Sequence, residues 1–167
     1  MRKNIKRIKE SITETEYKKL MNALRGDESL RQTSKTNLLR AFTLLYFTGL
    51  RLNEVQNLTL SNIKELLDLG QTKLILSKTS SERKLYAGEA FQKQLRRLFE
   101  LDRVMDLDSR VIAKGSNKSK KEGISHDVFI KQVNAVMKSI LGEGYTSHSF
   151  RQGLITEMGS KGVNVKI

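Results

Sequence analysis

Four basic side chains stand where the chain is punctuated. Arg51 follows Gly49 at the head of a short apolar-spaced segment, Lys78 lies in a polar stretch between two β-forming runs, and His148 and Arg151 are three residues apart. On a helix the last two share one face. Residues of these types grip oxyanions and carry protons. A guanidinium donates a planar fork of hydrogen bonds and stays charged, and an imidazole titrates close to neutral pH. Taken singly, each also has an ordinary role. An arginine at a helix start is commonly an ion-pair partner, here for Glu54 at i+3, a hairpin-tip lysine is commonly solvated, and a lone histidine is more often structural than catalytic.

Composition narrows the ligand. The 167 residues carry 31 Lys plus Arg against 18 Asp plus Glu, a formal charge of +13, with 38% hydrophobic residues and no Cys, Pro or Trp. The length suits one domain with a core of its own. A surplus of this sign points to a polyanionic partner, most simply nucleic acid. Without Cys there is no disulfide framework or thiolate metal site, and two histidines cannot make a His-rich zinc site. No segment approaches the ~20 apolar residues that span a bilayer, and no signal peptide opens the chain. The expected location is the cytoplasm or nucleoid, with an organelle as the alternative.

The elements that must position the basic residues read as follows. Residues 1–12 form a basic arm or linker, and residues 13–167 a domain. Thr13 and Glu16 have capping-box spacing, and Tyr17, Leu20, Met21 and Leu24 make one apolar stripe that Gly26 ends. Arg31 to Thr36 reads as a polar loop, Leu38 to Phe47 as a buried helix, and Gly49 as its break. A short helix carries Leu52, Val55 and Leu58. Thr72–Ser77 and Glu82–Tyr86 read as the strands of a β-hairpin. Phe91, Leu95 and Leu98 mark a helix, Lys114 to Gly123 a basic loop, and Phe129, Val133, Val136, Met137 and Ile140 another helix ended by Gly142 and Gly144. A last helix starts near Ser147 or Ser149 and carries Leu154, Ile155 and Met158. The fold class is mainly α with one small antiparallel sheet.

The flanking residues single out the four basic positions. Thr48-Gly49-Leu50-Arg51-Leu52-Asn53-Glu54-Val55 resembles the first arginine motif of the tyrosine recombinases, the phage-type integrases. Ser77-Lys78-Thr79-Ser80-Ser81-Glu82-Arg83 resembles that family's lysine hairpin, Ser147-His148-Ser149-Phe150-Arg151 its His-x-x-Arg motif, and Thr13 to Leu24 the helix that opens its catalytic domain. The segments occur in the family's order and cover nearly the whole chain after the basic arm. The resemblance implies a DNA breaking-rejoining catalytic domain acting in site-specific recombination or integration through a phosphotyrosine intermediate. Arg51 and Arg151 would clamp the scissile phosphate and stabilise charge on its non-bridging oxygens. Lys78 would protonate the leaving 5′ oxygen, with Lys84 as runner-up for that role. His148 would bond the phosphate and assist proton transfer, and Glu54 would orient basic neighbours. Arg83, Lys84, Lys118, Lys120 and Lys121 are expected to meet DNA, Arg83 alternatively bracing the hairpin. No cofactor or metal is implied. The partner is double-stranded DNA, with a homo-oligomer on DNA for a full-length form, and no membrane.

The sequence departs from the family pattern at its end. The family's nucleophilic tyrosine follows His-x-x-Arg, after a Gly-His or Gly-Trp pair, and no tyrosine follows Arg151 here. Tyr17 and Tyr46 read as core, Tyr86 as a strand residue, and Tyr145 precedes His148, the wrong order for the nucleophile. The helical domain that usually precedes the catalytic one is also missing. The expectation is an incomplete catalytic domain, inactive alone. The alternative is a non-catalytic, sequence-specific DNA-binding module of recombinase descent. An RNA-binding basic protein is a weaker rival, since aromatics are only 6% and no stacking signature occurs.

Overall fold

The computed structural model describes residues 11–75, 81–103, 106–114 and 123–150. In chain order the elements are α1 (Glu14–Gly26), α2 (Gln32–Thr48), α3 (Leu52–Gln56), α4 (Leu60–Asp68), β1 (Gln71–Ile75), β2 (Glu82–Tyr86), α5 (Glu89–Leu98), a single 3-10 turn at Leu101–Arg103, and α6 (His126–Leu141). The mainly helical reading with one antiparallel pair holds.

The helix α2 is the centre. Leu38, Ala41, Phe42, Leu44 and Leu45 are fully buried, and α1, α3 and α5 pack against it. A helix apolar on most of its circumference must be enclosed by its neighbours. It starts earlier than the residue types imply, because residues 32–36 are helical rather than a loop. Their polar side chains form the one stretch of α2 that faces solvent, so the tertiary demand for a long central helix overrides weak local propensity. By contrast α1 begins where its capping box puts it. The Glu16 carboxylate accepts the Thr13 backbone N–H at 3.0 Å and also its hydroxyl, and Tyr17, Leu20, Met21 and Leu24 face the core.

The helix α4, absent from the sequence reading, buries Leu60, Ile63 and Leu66 at helical spacing. Its start is a box built with an amide. Asn62 Oδ1 accepts the Thr59 N–H at 2.9 Å, while Asn62 Nδ2 donates to Thr72 Oγ1 at 2.9 Å. One side chain thus caps α4 and fastens β1 to it. The strands pair antiparallel, Gln71 opposite Tyr86 through Ile75 opposite Glu82. Thr72, Leu74 and Leu85 face inward, whereas Ile75 and Tyr86 are 66% and 67% exposed on the outer face. The helix α6 ends at Gly142, whose φ of 106° only glycine adopts readily.

Stacked aromatic rings join α1, α5 and the segment at Phe150 to this core. Phe150 stacks on Phe42 with centroids 5.6 Å apart, Tyr17 lies flat on Tyr46 at 4.1 Å, and Phe47 stacks on Phe91 at 4.9 Å. Tyr17 is buried and Tyr46 half-buried, as expected of core residues. Replacing Phe150 by Ala should cost about 3–5 kcal/mol, whereas Tyr86→Ala on the exposed strand face should stay within about 0.5 kcal/mol. Urea unfolding of the two variants against the parent checks both.

Candidate nucleic-acid interface

The turn that presents Arg51 is built atom by atom. The helix α2 ends at Thr48, whose hydroxyl donates to the Leu44 carbonyl and accepts the Leu50 N–H at 3.2 Å. Gly49 follows in the left-handed region, φ 66° and ψ 17°, and its N–H closes on the Leu45 carbonyl at 3.0 Å. This is the conformation in which a β-carbon is penalised. The reversal drives Leu50 into the core and leaves Arg51 exposed as the residue capping α3.

Glu54 sets the cap. Its buried carboxylate accepts the Arg51 backbone N–H at 2.8 Å, and the Arg51 carbonyl accepts the Val55 N–H at 3.0 Å. The i+3 spacing of Arg51 and Glu54 therefore serves the backbone, not a side-chain ion pair. Among the described residues no carboxylate pairs with the Arg51 guanidinium. An acid placed three residues into a helix satisfies an otherwise orphaned N–H and faces the positive end of the helix dipole. Here that leaves the arginine side chain available for an external anion.

The hairpin is braced to the same turn. Arg83, on the inner side of β2, donates from Nη2 to the Thr48 carbonyl at 3.5 Å, one of the carbonyls left unpaired at the end of α2. Of the two roles foreseen for Arg83, bracing has this contact behind it. Lys84 is exposed on the opposite face, directly across from Lys73, and does not join the cluster. Lys78 lies outside the described residues, as do Lys118, Lys120, Lys121 and Arg151.

His148 is exposed between firmly held neighbours. The buried Ser147 donates its N–H to Asn134 Oδ1 at 3.1 Å. Ser149 Oγ accepts the Thr146 N–H at 3.1 Å, and the Ser149 carbonyl accepts the Ile12 N–H at 3.1 Å. Phe150 stacks on Phe42. The backbone is helical from residue 148 to residue 150, where the description ends. Phe42 and Thr48 are six residues apart on α2, about 9 Å of helix axis. Both arms of the site, the Arg51 turn and the His148 segment, are thus attached to one short length of one helix. The contribution of Thr48 and Asn134 is absent from the sequence reading. Thr48 adjoins a recognised glycine and so carried a local signal, whereas Asn134 makes a contact of long range with none.

This arrangement, a capped arginine turn braced by a hairpin and a histidine helix docked on the same central helix, is the catalytic-domain fold of the tyrosine recombinases. The phage integrase family model matches residues 10–167, and the chain belongs to that family. Its fold is similar to the crystal structure of a XerA recombinase, with a TM-score of 0.68, 20% identity, and coverage of 98% of this chain and 54% of that one. It is also similar to a XerH site-specific recombinase bound to a palindromic difH substrate in a post-cleavage complex, with a TM-score of 0.61, 19% identity, and coverage of 92% of this chain and 43% of that one. The chain thus spans about half the length of these recombinases or less. No curated protein sequence matches it. Among the described residues no helix is long and apolar enough to cross a membrane.

Glu54→Ala should strand the Arg51 N–H and cost about 1–3 kcal/mol, and Glu54→Gln, which keeps an acceptor, should recover most of the loss. Denaturant unfolding reads the stability. The same pair measured for DNA affinity shows whether the cap also positions Arg51, in which case Ala weakens binding and Gln restores it.

Proposed function

We propose that the protein acts in site-specific DNA recombination or integration, holding a phosphodiester of duplex DNA in a site made by Arg51, Lys78, His148 and Arg151. The observation that carries this reading is the Arg51 turn, in which Gly49 exposes the guanidinium and Glu54 is engaged by backbone. Family membership supports the substrate class. In this assignment the two arginines grip the non-bridging oxygens, where a fork of charged donors is worth most as negative charge builds. Lys78 hands a proton to the leaving 5′ oxygen. His148 bonds the phosphate and moves the proton at the nucleophile. Glu54 is a positioning residue, acting through the Arg51 backbone. Arg83 steadies the hairpin that carries Lys78, and Lys84, Lys118, Lys120 and Lys121 add contacts to DNA.

The family resemblance calls for a tyrosine nucleophile beyond His-x-x-Arg. Tyr17 and Tyr46 are stacked on each other in the core, Tyr86 stands on the outer face of the hairpin, and Tyr145 sits in the turn ahead of His148. No tyrosine follows Arg151. These positions favour a second statement, that this polypeptide alone binds DNA without forming a covalent phosphotyrosine link.

The polypeptide should bind duplex DNA with an affinity that falls steeply with salt. Arg51→Ala should weaken binding about tenfold or more, as expected for loss of a charged hydrogen bond. With a nicked suicide substrate no protein–DNA adduct should survive denaturing electrophoresis. Salt-independent or absent DNA binding overturns the first statement, and a stable adduct overturns the second.

A further inference from the structure

The basic surplus is not spent on the Arg51 site alone. A second concave feature lies between α1 and α5, with a volume of about 230 Å³ and Lys18, Asn22, Arg25, Gln94 and Arg97 around it. Tyr17 and Met21 form its floor. The lining contains three cations and two carboxamides and no carboxylate. Lys18 is partnered by Glu14 at 2.9 Å, whereas among the described residues Arg25 and Arg97 have no ion-pair partner. Both arginines are exposed in the last turns of their helices, which tolerate cations because the carbonyl ends of the dipoles face them. The two come from separate helices and line the same hollow, whose floor residue Tyr17 is held by a hydrogen bond to Thr43 Oγ1 at 2.9 Å.

Two guanidiniums and two primary amides lining one hollow form a set of donors with no anion among the described residues to receive them. Guanidinium forks match the oxygens of a phosphate better than any neutral ligand. The floor is stiff as well. Tyr17 stacks on Tyr46, and Phe47 stacks on Phe91 of α5, so the distance between the two helices is held by packed rings. None of Arg51, Glu54 or His148 lines the hollow.

We propose that the α1–α5 cleft is a phosphate-binding site that takes a backbone phosphodiester of the bound DNA, separate from the phosphate at Arg51. The proposal rests on the DNA-binding reading above for the source of the phosphate, though not for the chemistry of the cleft.

Two measurements test it. In the first, inorganic pyrophosphate is titrated into the isotope-labelled protein, and the side-chain N–H signals of Asn22, Gln94, Arg25 and Arg97 are followed by NMR. All four should shift saturably in the parent, and those of Asn22 and Gln94 should stay put in the Arg25→Gln/Arg97→Gln double variant. In the second, the slope of log affinity for duplex DNA against log salt is compared. At a slope of ~0.9 per phosphate neutralised, the double variant should lose about 0.9 from the slope, the share of one phosphate. Arg96→Gln, one residue away but outside this cleft, should lose less. Absence of pyrophosphate shifts, or a double-variant slope equal to that of the parent or of Arg96→Gln, overturns the proposal. A parent that shifts with pyrophosphate yet binds no DNA overturns the DNA source and, with it, the proposed function. The cleft would then be a site for free phosphates.

Discussion

The reversal of the backbone at the end of α2 is the constraint on which the other parts of the molecule converge. The helix buries Phe42, Leu44 and Leu45 along its C-terminal half, and close-packed interiors do not permit such a helix to slide. Its end is therefore a fixed point. The Leu45 carbonyl is taken by Gly49, the Leu44 carbonyl by the Thr48 hydroxyl, and the Thr48 carbonyl by Arg83 of β2. Two of the carbonyls that a helix end leaves unpaired, those of Leu45 and Thr48, acquire partners, and those partners belong to the exposed arginine's turn and to the hairpin. Helix termination and site construction are one set of hydrogen bonds.

The irregular segments are held by a different device. Backbone groups outside ladders still need partners when buried, and three α2 and α3 side chains supply them. Asn37 Nδ2 donates to the Ala113 carbonyl at 2.9 Å, Arg40 donates to the Val111 carbonyl at 3.0 Å, and Gln56 Nε2 donates to the Ile124 carbonyl at 2.9 Å while its Oε1 meets His126 Nδ1 at 2.8 Å. Since the Gln56 nitrogen is committed to a carbonyl, its oxygen must accept, so His126 carries a proton on Nδ1. Arg40 also lies 4.3 Å from the centroid of Phe99. Burial pulls its guanidinium down to about 10, which leaves it charged at neutral pH. A half-buried cation that spends its charge on a carbonyl and a ring face is a structural cation, unlike the exposed Arg51, Arg25 and Arg97. Of the +13 surplus, burial separates what holds the fold from what faces a ligand.

How much of this could be read from residues alone depended on the range of the interaction. The Thr13–Glu16 box, the stripe from Tyr17 to Leu24, the break at Gly49 and the helix around Val133 are local patterns, and each stands where its pattern places it. The stretch 32–36 misleads because polar residues look alike in a loop and on the wet face of a helix. The start of α4 escapes notice because Asn62 does what a capping glutamate does elsewhere. Arg51 and Glu54 were identifiable as a pair, but spacing cannot distinguish a carboxylate that meets a guanidinium from one that meets a backbone N–H. The contacts that dock His148, from Asn134 to Ser147 and from Ile12 to Ser149, join residues with no periodic relation, so only the folded chain reveals them.

The hairpin draws these threads together. Two strands in isolation are at best marginal in water, and this pair buries only one face, with Leu74 and Leu85 inward and Ile75 and Tyr86 outside. Besides the burial of Leu74 and Leu85, side chains attach it at two places, the Asn62 amide to Thr72 and the Lys73 carbonyl, and the Arg83 guanidinium to Thr48. The first ties it to α4 and the second to the Arg51 turn. The Arg83 bond, at 3.5 Å, is the longest of these and the one that a competing anion would draw away. That contact joins the hairpin to the Arg51 turn through a helix-end carbonyl, so the strand pair and the turn take their places from the same core helix.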